Sequence, residues 1–371
     1  MKKVAVFTNN LRAGGAERII SYLLQEGADE FELHLILMQN EIMYDIPEEK
    51  VRIFELEGKQ PSKIKSVLWT PVYAKKLRAY LETNNIETIL SLLTRPNLIA
   101  CKLRKDGWKG KVIISERADT LSYYNSLVFG KAMLYLVKKF YPYADEVTVI
   151  SKGIARSLGK LGIKNCHVIY NPIPVLKEPL PKSINRPFTF INVARLYPQK
   201  NIPLLLNAFA AMKNKEARLI IVGKGPLLPE LQALATGLQI EQRVSFEGHQ
   251  PDVNSYLAKS DCFVFSSDFE GFGNVIIEAL NTGTPVISTD CPHGPREILA
   301  PDSNPEIAIS DEIGFEKYGI LVPVKRPDLL AKAMDKIYED KELWQAYASL
   351  SRERVIDFDI KKIAKQYFGL F

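Results

Sequence analysis

The residues best equipped for chemistry in this chain are Glu270 and Glu278, the two carboxylates of Glu270-Gly271-Phe272-Gly273-Asn274-Val275-Ile276-Ile277-Glu278. Gly271 and Gly273 bare the backbone N–H groups just ahead of an apolar, helix-forming run, and a helix N-terminus with bare amides attracts anions. Asn274 and Glu278 are four apart and share one face of that helix. A carboxylate there accepts two hydrogen bonds from vicinal hydroxyls such as those of a ribose. Glu270, in the loop, is placed to hold sugar hydroxyls or to face a developing charge. Taken alone, the segment also fits two solvated glutamates.

A second motif decides between these readings. Arg195 and Lys200 stand five apart in Val193-Ala194-Arg195-Leu196-Tyr197-Pro198-Gln199-Lys200-Asn201, behind an apolar run. A guanidinium grips two phosphate oxygens at once, and an ammonium adds a mobile point charge. A diphosphate is the ligand that suits both. Gly223 and Gly225, in Val222-Gly223-Lys224-Gly225-Pro226, form a further glycine turn between a strand and a helix. Together the motifs offer hydroxyl acceptors beside a diphosphate cradle, which is what a nucleotide-sugar needs. Near the start, Gly14 and Gly15 separate another strand from another helix, where a bare backbone can approach a phosphate or sugar. No G-x-G-x-x-G and no Gly-Lys-Ser/Thr accompanies them, so neither a dinucleotide fingerprint nor a Walker A loop is present. Downstream, Asp290-Cys291-Pro292-His293-Gly294-Pro295-Arg296-Glu297 reads as a rigid turn able to close the donor side. The four histidines (His34, His167, His249, His293) and four cysteines (Cys101, Cys166, Cys262, Cys291) show no metal-ligand or disulfide spacing. No metal or other cofactor is expected, and the thiols are expected to be reduced.

The elements that must position these residues alternate. Strands are predicted at 4–7, 31–38, 88–93, 112–115 and 147–150, with helices at 16–25 and around 130–140. Pro172, Pro174, Pro179, Pro181 and Pro187 then interrupt the pattern, and this segment reads as a linker. Behind it, strands at 189–193, 219–222, 262–265 and 286–288 alternate with helices at 202–211, 227–235, 275–280 and 329–338. Residues 344–371 look helical. Strands alternating with helices imply parallel sheets, so the fold class is α/β with two doubly wound domains in tandem. Ligands of such sheets bind outside the carboxyl ends of the strands, and the expected site is a cleft between the domains.

Composition agrees. The chain has 371 residues, 46% hydrophobic and 25% charged, which excludes a disordered or collagen-like chain. No run of 18 apolar residues occurs, and only four apolar residues follow Met1-Lys2-Lys3, so neither a membrane span nor a leader is expected. The net charge of +6 is uneven. Residues 1–175 hold 26 Lys/Arg against 18 Asp/Glu (+8), and the remainder 23 against 25 (−2). Between Lys59 and Lys111 the count is 12 basic to 3 acidic, with Trp69, Val72, Tyr73, Leu77 and Trp108 interleaved. Cations with interfacial aromatics suit an anionic membrane surface. No recognition motif for nucleic acid accompanies the charge.

In their order and spacing, GGAER, ARLYPQKN, VGKGP, EGFGNVIIE and DCPHGPREIL resemble glycosyltransferase family 4, over nearly the whole chain. The resemblance implies the GT-B fold of two facing Rossmann-like domains, a retaining transferase with an E-x7-E pair, a nucleotide-sugar donor and no metal. It implies that Arg195 and Lys200 bind the donor diphosphate. Glu278 would hold the ribose, and Glu270 with the amides following Gly271 the donor sugar. Gly14 and Gly15 would face phosphate or acceptor. Many members carry a His where this chain has Arg117, in Ile114-Ser115-Glu116-Arg117. An arginine cannot serve as a base, so Arg117 is expected to bind acceptor phosphate, with Glu116, Arg95 and Asn97 beside it.

The resulting reading has an acceptor domain at 1–171, a linker at 172–187 and a donor domain at 188–354, with a last helix at about 355–371 packed back onto the first domain. The function expected is transfer of a hexose or N-acetylhexosamine from a nucleoside diphosphate sugar, UDP-linked, to a glycan or polyprenyl-diphosphate-linked glycan, in cell-surface polysaccharide assembly. The place expected is the cytoplasm or the inner face of the membrane. A sugar-nucleotide epimerase or hydrolase, or a non-catalytic sugar-nucleotide-binding subunit, are the alternatives.

Overall fold

A computed structural model describes residues 1–12, 14–56, 70–125, 127, 130–178, 186–305 and 307–371. The chain divides into two units, one of Met1–Pro172 with Asp359–Phe371 and one of Ile173–Phe358.

The first unit follows from its apolar runs. β1 (Lys2–Thr8), β2 (Phe31–Leu37), β4 (Thr88–Leu92) and β5 (Lys111–Glu116) are almost wholly buried, as strands covered on both faces must be. β3 (Val51–Glu55), β6 (Glu146–Val149) and β7 (Cys166–Val168) complete a parallel sheet in the order β3-β2-β1-β4-β5-β6-β7. Val4 pairs with Leu33 on one side and Thr88 on the other. The connecting helices are α1 (Gly15–Gly27), α2 (Thr70–Thr83), α3 (Thr94–Lys105), α4 (Thr120–Asn125), α5 (Gly130–Phe140) and α6 (Lys152–Lys160).

The second unit repeats the plan. Its elements are β8 (Thr189–Val193), α7 (Ile202–Ala211), β9 (Arg218–Val222), α8 (Leu228–Gly237), β10 (Val244–Gly248), α9 (Val253–Ala258), β11 (Cys262–Phe265) and α10 (Asn274–Asn281). β12 (Val286–Thr289), α11 (Pro295–Leu299), β13 (Gly314–Glu316), β14 (Gly319–Val322), α12 (Pro327–Glu339) and α13 (Lys341–Val355) follow. The strand order is β10-β9-β8-β11-β12-β14-β13, parallel except for β13 at the edge. Phe190, Leu205, Phe209, Ile221, Val264 and Met334 lie in its core.

In each sheet the order reverses beside the first strand, between β1 and β4 and between β8 and β11. Loops leaving two such neighbours diverge to opposite faces, which opens a crevice at the carboxyl ends.

The last helix, α14 (Ile360–Phe368), belongs to the first unit. Ile363, Ala364 and Tyr367 join the core formed by Val4, Ile20 and Leu35. The Phe368 and Phe371 rings meet Phe31 at 5.1 and 5.3 Å. Residues 355–358 stay with the second unit. The stretch set apart as a linker is also anchored where it is described. Ile173 N donates to Phe358 O, and Leu176 N and Pro174 O are both bonded by the Asn281 amide. Pro179 and Pro181 lie outside the described residues.

The aromatic membrane face read between Lys59 and Lys111 needs correction. Tyr73, Leu77 and Trp108 are buried, because they are the inward positions of α2 and of the loop after α3. Val72 is exposed. Residues 59–69, with Trp69, lie outside the described residues. Among the described residues no helix is long and apolar enough to cross a membrane.

Tyr367 has no exposed surface. Tyr367→Ala is expected to cost about 3–5 kcal/mol, as removal of a buried aromatic does. Denaturant unfolding of the full chain checks this, and a loss below about 1 kcal/mol would mean that α14 is not part of the core.

Candidate functional site

At the reversal point of the second sheet, the loop after β8 meets the loop after β11. Tyr197-Pro198-Gln199-Lys200 turns tightly and ends at Asn201, which takes φ 43° and caps α7 by accepting from Leu204 N. The two loops are laced together. Asp268 N donates to Gln199 O at 2.9 Å, Gln199 Nε2 to Phe269 O at 2.7 Å, Asn201 Nδ2 to Asp268 Oδ1 at 2.8 Å and Ser266 Oγ to Lys200 O at 2.8 Å. At the centre the Lys200 ammonium donates to the Glu270 carboxylate, with side chains only 16% and 11% exposed. The two residues to which the sequence gives separate roles are thus one ion pair. Lys200 also sits 5.7 Å from the Phe265 ring centre. Its ammonium has three donors, so the pair leaves capacity for a phosphate oxygen.

Arg195 is exposed, with its guanidinium 5.5 Å over the Tyr197 ring. Its loop rests on the Gly223–Gly225 turn. Ala194 N donates to Val222 O, and Leu196 N to Lys224 O. A Cβ on Gly223, where φ is 142°, would stand 1.8 Å from Ala194 O, and one on Gly225 would stand 2.3 Å from Leu196 O. Both glycines therefore support the loop that carries Arg195.

The Gly271–Val275 segment is pinned from behind. Phe272 is buried and meets Phe358 edge-on at 5.8 Å. Its side chain is core, which leaves its backbone as the part that the sequence reading assigns to the donor sugar. A Cβ on Gly294 would lie 1.8 Å from Phe272 O. Gly273, at φ 92°, precedes α10, and Asn274, Val275 and Glu278 are half-buried on that helix. The first amides of any helix lack partners within it, so α10 turns an anion-binding end toward this loop. Sequence reasoning missed the clamp behind it. Arg296 grips Asp290 with two nitrogens, and Asp290 also accepts from Ile309 N. Cys291 lies between, its thiol pushed up by burial and then by the Glu270 charge.

The first unit treats its expected site residues differently. Gly14 N donates to the Tyr44 hydroxyl, which donates to Gly14 O. A Cβ on Gly14 would collide with the Glu17 carboxylate at 2.2 Å. Burial pushes the Glu17 carboxyl up, and Arg117 pulls it back. Gly15 opens α1 and is exposed, while Ala13 lies outside the described residues. Arg95 is half-buried, 5.5 Å over the Tyr73 ring.

Asn97, Glu116 and Arg117 are buried. Asn97 is buried and donates to Ser115 O at 3.0 Å. Glu116 is 1% exposed and accepts from Tyr141 OH at 2.5 Å, Thr94 Oγ1 at 3.2 Å and Arg117 N at 3.1 Å. Burial pushes its carboxyl up against the pull of these donors. Arg117 is 7% exposed and donates to Tyr367 OH at 2.8 Å, Ser115 Oγ at 3.3 Å and Asn171 Oδ1 at 2.5 Å. Its guanidinium ties β5 to α14 and to the chain at 171. Most of the Arg117 side chain is thus engaged in the interior, not displayed on the surface as the acceptor reading expects. Among the described residues no group of three or more His, Cys, Asp or Glu side chains is placed to hold a metal.

Residues 13–175 match the family described as Glycosyltransferase Family 4, and residues 180–354 the one described as Glycosyl transferases group 1. The chain is 32% identical to the N-acetylgalactosamine-N,N'-diacetylbacillosaminyl-diphospho-undecaprenol 4-alpha-N-acetylgalactosaminyltransferase of Campylobacter jejuni, over 98% of each chain. With a lipopolysaccharide 1,6-galactosyltransferase of Salmonella typhimurium it shares 32% identity over 53% of this chain and 58% of that one. Among solved structures it is similar to sucrose-phosphate synthase from Thermosynechococcus elongatus (TM-score 0.81, 20% identity, 100% and 98% of the chains). It is also similar to Anabaena Alr3699/HepE in complex with UDP-glucose (TM-score 0.75, 18% identity, 100% and 99%).

The backbone contact at Gly223 can be checked against a glycine with open space around it. Gly223→Ala is expected to destabilise the chain by about 2 kcal/mol or more, from the collision and the left-handed φ. Gly237→Ala, at the end of α8 with nothing within 4 Å, should be neutral or stabilising by up to about 1 kcal/mol. Equal effects in thermal unfolding would contradict the supporting role.

Proposed function

The chain belongs to glycosyltransferase family 4, and on that premise we propose that it moves a hexose or N-acetylhexosamine from a UDP-sugar to a polyprenyl-diphosphate-linked glycan, with retention at the anomeric carbon. The observation that carries this reading is the Lys200–Glu270 pair at the reversal point of the second sheet, with exposed Arg195 on the same loop and Glu278 on the helix that follows. The name of the Campylobacter jejuni relative, with its diphospho-undecaprenol acceptor, supports a lipid-linked acceptor. The UDP-glucose held by the Anabaena protein supports the donor class.

In this reading Arg195 grips the diphosphate and Lys200 bridges a phosphate oxygen to Glu270. Glu278 accepts from the ribose hydroxyls. Glu270 and the amides from Gly271 to Val275 hold the sugar. The bond between the anomeric carbon and the β-phosphate oxygen breaks as the acceptor oxygen bonds to the same face. The acceptor proton passes to the departing phosphate, so no side-chain base is required. Fixed cations at the leaving oxygen stabilise the charge that develops there. Gly14, Gly15 and Arg95 are the first-unit positions left to serve the acceptor. The chain's own cations neutralise the diphosphate in place of a metal. None of the four cysteines is in a disulfide, in keeping with a reducing compartment and catalysis at the cytoplasmic face.

Glu270→Ala should lower turnover by about 10²-fold or more, since its carboxylate acts on the reacting sugar and holds Lys200. Near-normal turnover of this variant, measured as acceptor-dependent UDP release, would sink the assignment, and release independent of acceptor would mark a hydrolase. Excess EDTA should leave wild-type turnover unchanged; a loss restored by added divalent cation would overturn the metal-free reading.

A further inference from the structure

The geometry points to a second ligand site in the first unit, a cavity at the amino ends of β1, β4 and β5 that takes a small, soluble phosphate ester. Lys2, Thr88 and Lys111 line it from the starts of those three strands. Gly14 and Arg95 follow the opposite ends of β1 and β4, so the length of the sheet separates the cavity from them. Its volume is about 530 Å³. Small-molecule clefts span about 300–1,000 Å³. One wall is the turn between α3 and β5. Arg78 Nη1 of α2 donates to Asp106 O at 3.3 Å and Lys111 N to Glu87 O at 2.7 Å, which holds the turn on two sides. A Cβ on Gly110 would stand 2.3 Å from the Trp108 ring, so only glycine lets the indole lie this close to the backbone.

The lining is rich in donors that the protein leaves unused. Thr88 is 1% exposed and Trp108 4%. Neither the Thr88 hydroxyl nor the Trp108 indole N–H has a partner among the described residues. A nearly buried donor without an acceptor is costly, and a ligand oxygen removes that cost. The amides of Lys109 and Gly110 also have no acceptor among the described residues. The exposed Lys2 and Lys109 form no ion pair with a described residue. Arg78 and Lys111 are held by Glu82 and Glu146, at 2.7 and 3.5 Å. Glu87, exposed, is the remaining carboxylate of the lining, so Lys2 and Lys109 leave an excess of positive charge. Such a set selects an anion rich in acceptors. A phosphate monoester brings three terminal oxygens and about two negative charges, more of each than a carboxylate. The cavity exceeds what bare phosphate fills, which leaves room for an esterified group of hexose size.

Calorimetric titration of the full chain at low salt, with glucose 6-phosphate as the probe, provides the test. The wild type is expected to bind the probe and to ignore glucose. Lys2→Gln/Lys109→Gln should weaken binding about tenfold or more, since two charged donors are lost. Thr88→Val, which keeps the shape and removes the hydroxyl, should weaken it about fivefold. Lys75→Gln/Lys76→Gln, the same change of charge at exposed positions of α2, should leave it unchanged. Arg195→Gln, on the proposed donor loop, should leave it unchanged as well. In the wild type, the indole N–H resonance that Trp108→Phe removes should shift on saturation. No binding of millimolar probe, no shift of that resonance, or equal losses in the two lysine pairs overturns the proposal. So does loss of binding in Arg195→Gln, which would place the probe on the donor loop. Glucose binding as tightly as its phosphate overturns it too, because the cavity would then not read the anion. Occupancy is read without turnover, so failure of this proposal and failure of the transferase reading are separate results.

Discussion

Lys200 and Glu270 lie seventy residues apart in the chain and share one ion pair, mostly shielded from water. Removing a charge from water is costly unless its partner is in place, so neither residue is comfortable without the other. That requirement forces the loops after β8 and β11 to converge. It makes the hydrogen bonds among Gln199, Asn201, Ser266 and Asp268 necessary, because these fix the two backbones at the distance the pair needs. The glycine contacts at Gly223, Gly225 and Gly294 serve the same end from below, where a Cβ would push the loops away from their supports. Arg195 is exposed on this loop and Glu278 is half-buried on α10 beside it.

The first unit has the same strand order at its reversal point but spends its charges differently. Glu116 and Arg117 are consumed in a buried network with Tyr141, Thr94, Asn171 and Tyr367. A buried guanidinium with both terminal nitrogens engaged rigidifies what it touches, and what Arg117 touches is the end of β5 and the returning helix α14. Arg117 is therefore a structural joint in this chain. The carboxyl ends of the two sheets differ in kind: the second keeps half-exposed charges over a pinned scaffold, while the first keeps glycine, a half-buried Arg95 and a closed interior.

The uneven net charge has a physical sense once the side chains are placed. The +8 of the first half is not a field around a catalytic group, since its most conspicuous loop arginine is buried. Among the described residues part of it lies on helix surfaces, as with Lys131, Lys138 and Lys139 on α5. The remainder of the chain, at −2, carries Arg195 and Lys200 on the loop after β8.

Local sequence determined the repeating strand and helix pattern, since buried parallel strands write themselves as apolar runs such as 4–7 and 262–265. It also determined which loops carry glycine, cation and carboxylate at the ends of those strands. The short edge strands β3, β7 and β10 escaped, because their half-exposed faces leave no apolar run to read. Tertiary structure alone decided the partner of each charge. Arg117 and Tyr367 are 250 residues apart, Lys200 and Glu270 are 70 apart, and no local pattern records either pairing. A guanidinium or carboxylate is the same group whether solvated, bound to a ligand or buried against a hydroxyl. Burial and distance distinguish these states, and both are set by strand order and by the helix that returns from the far end of the chain.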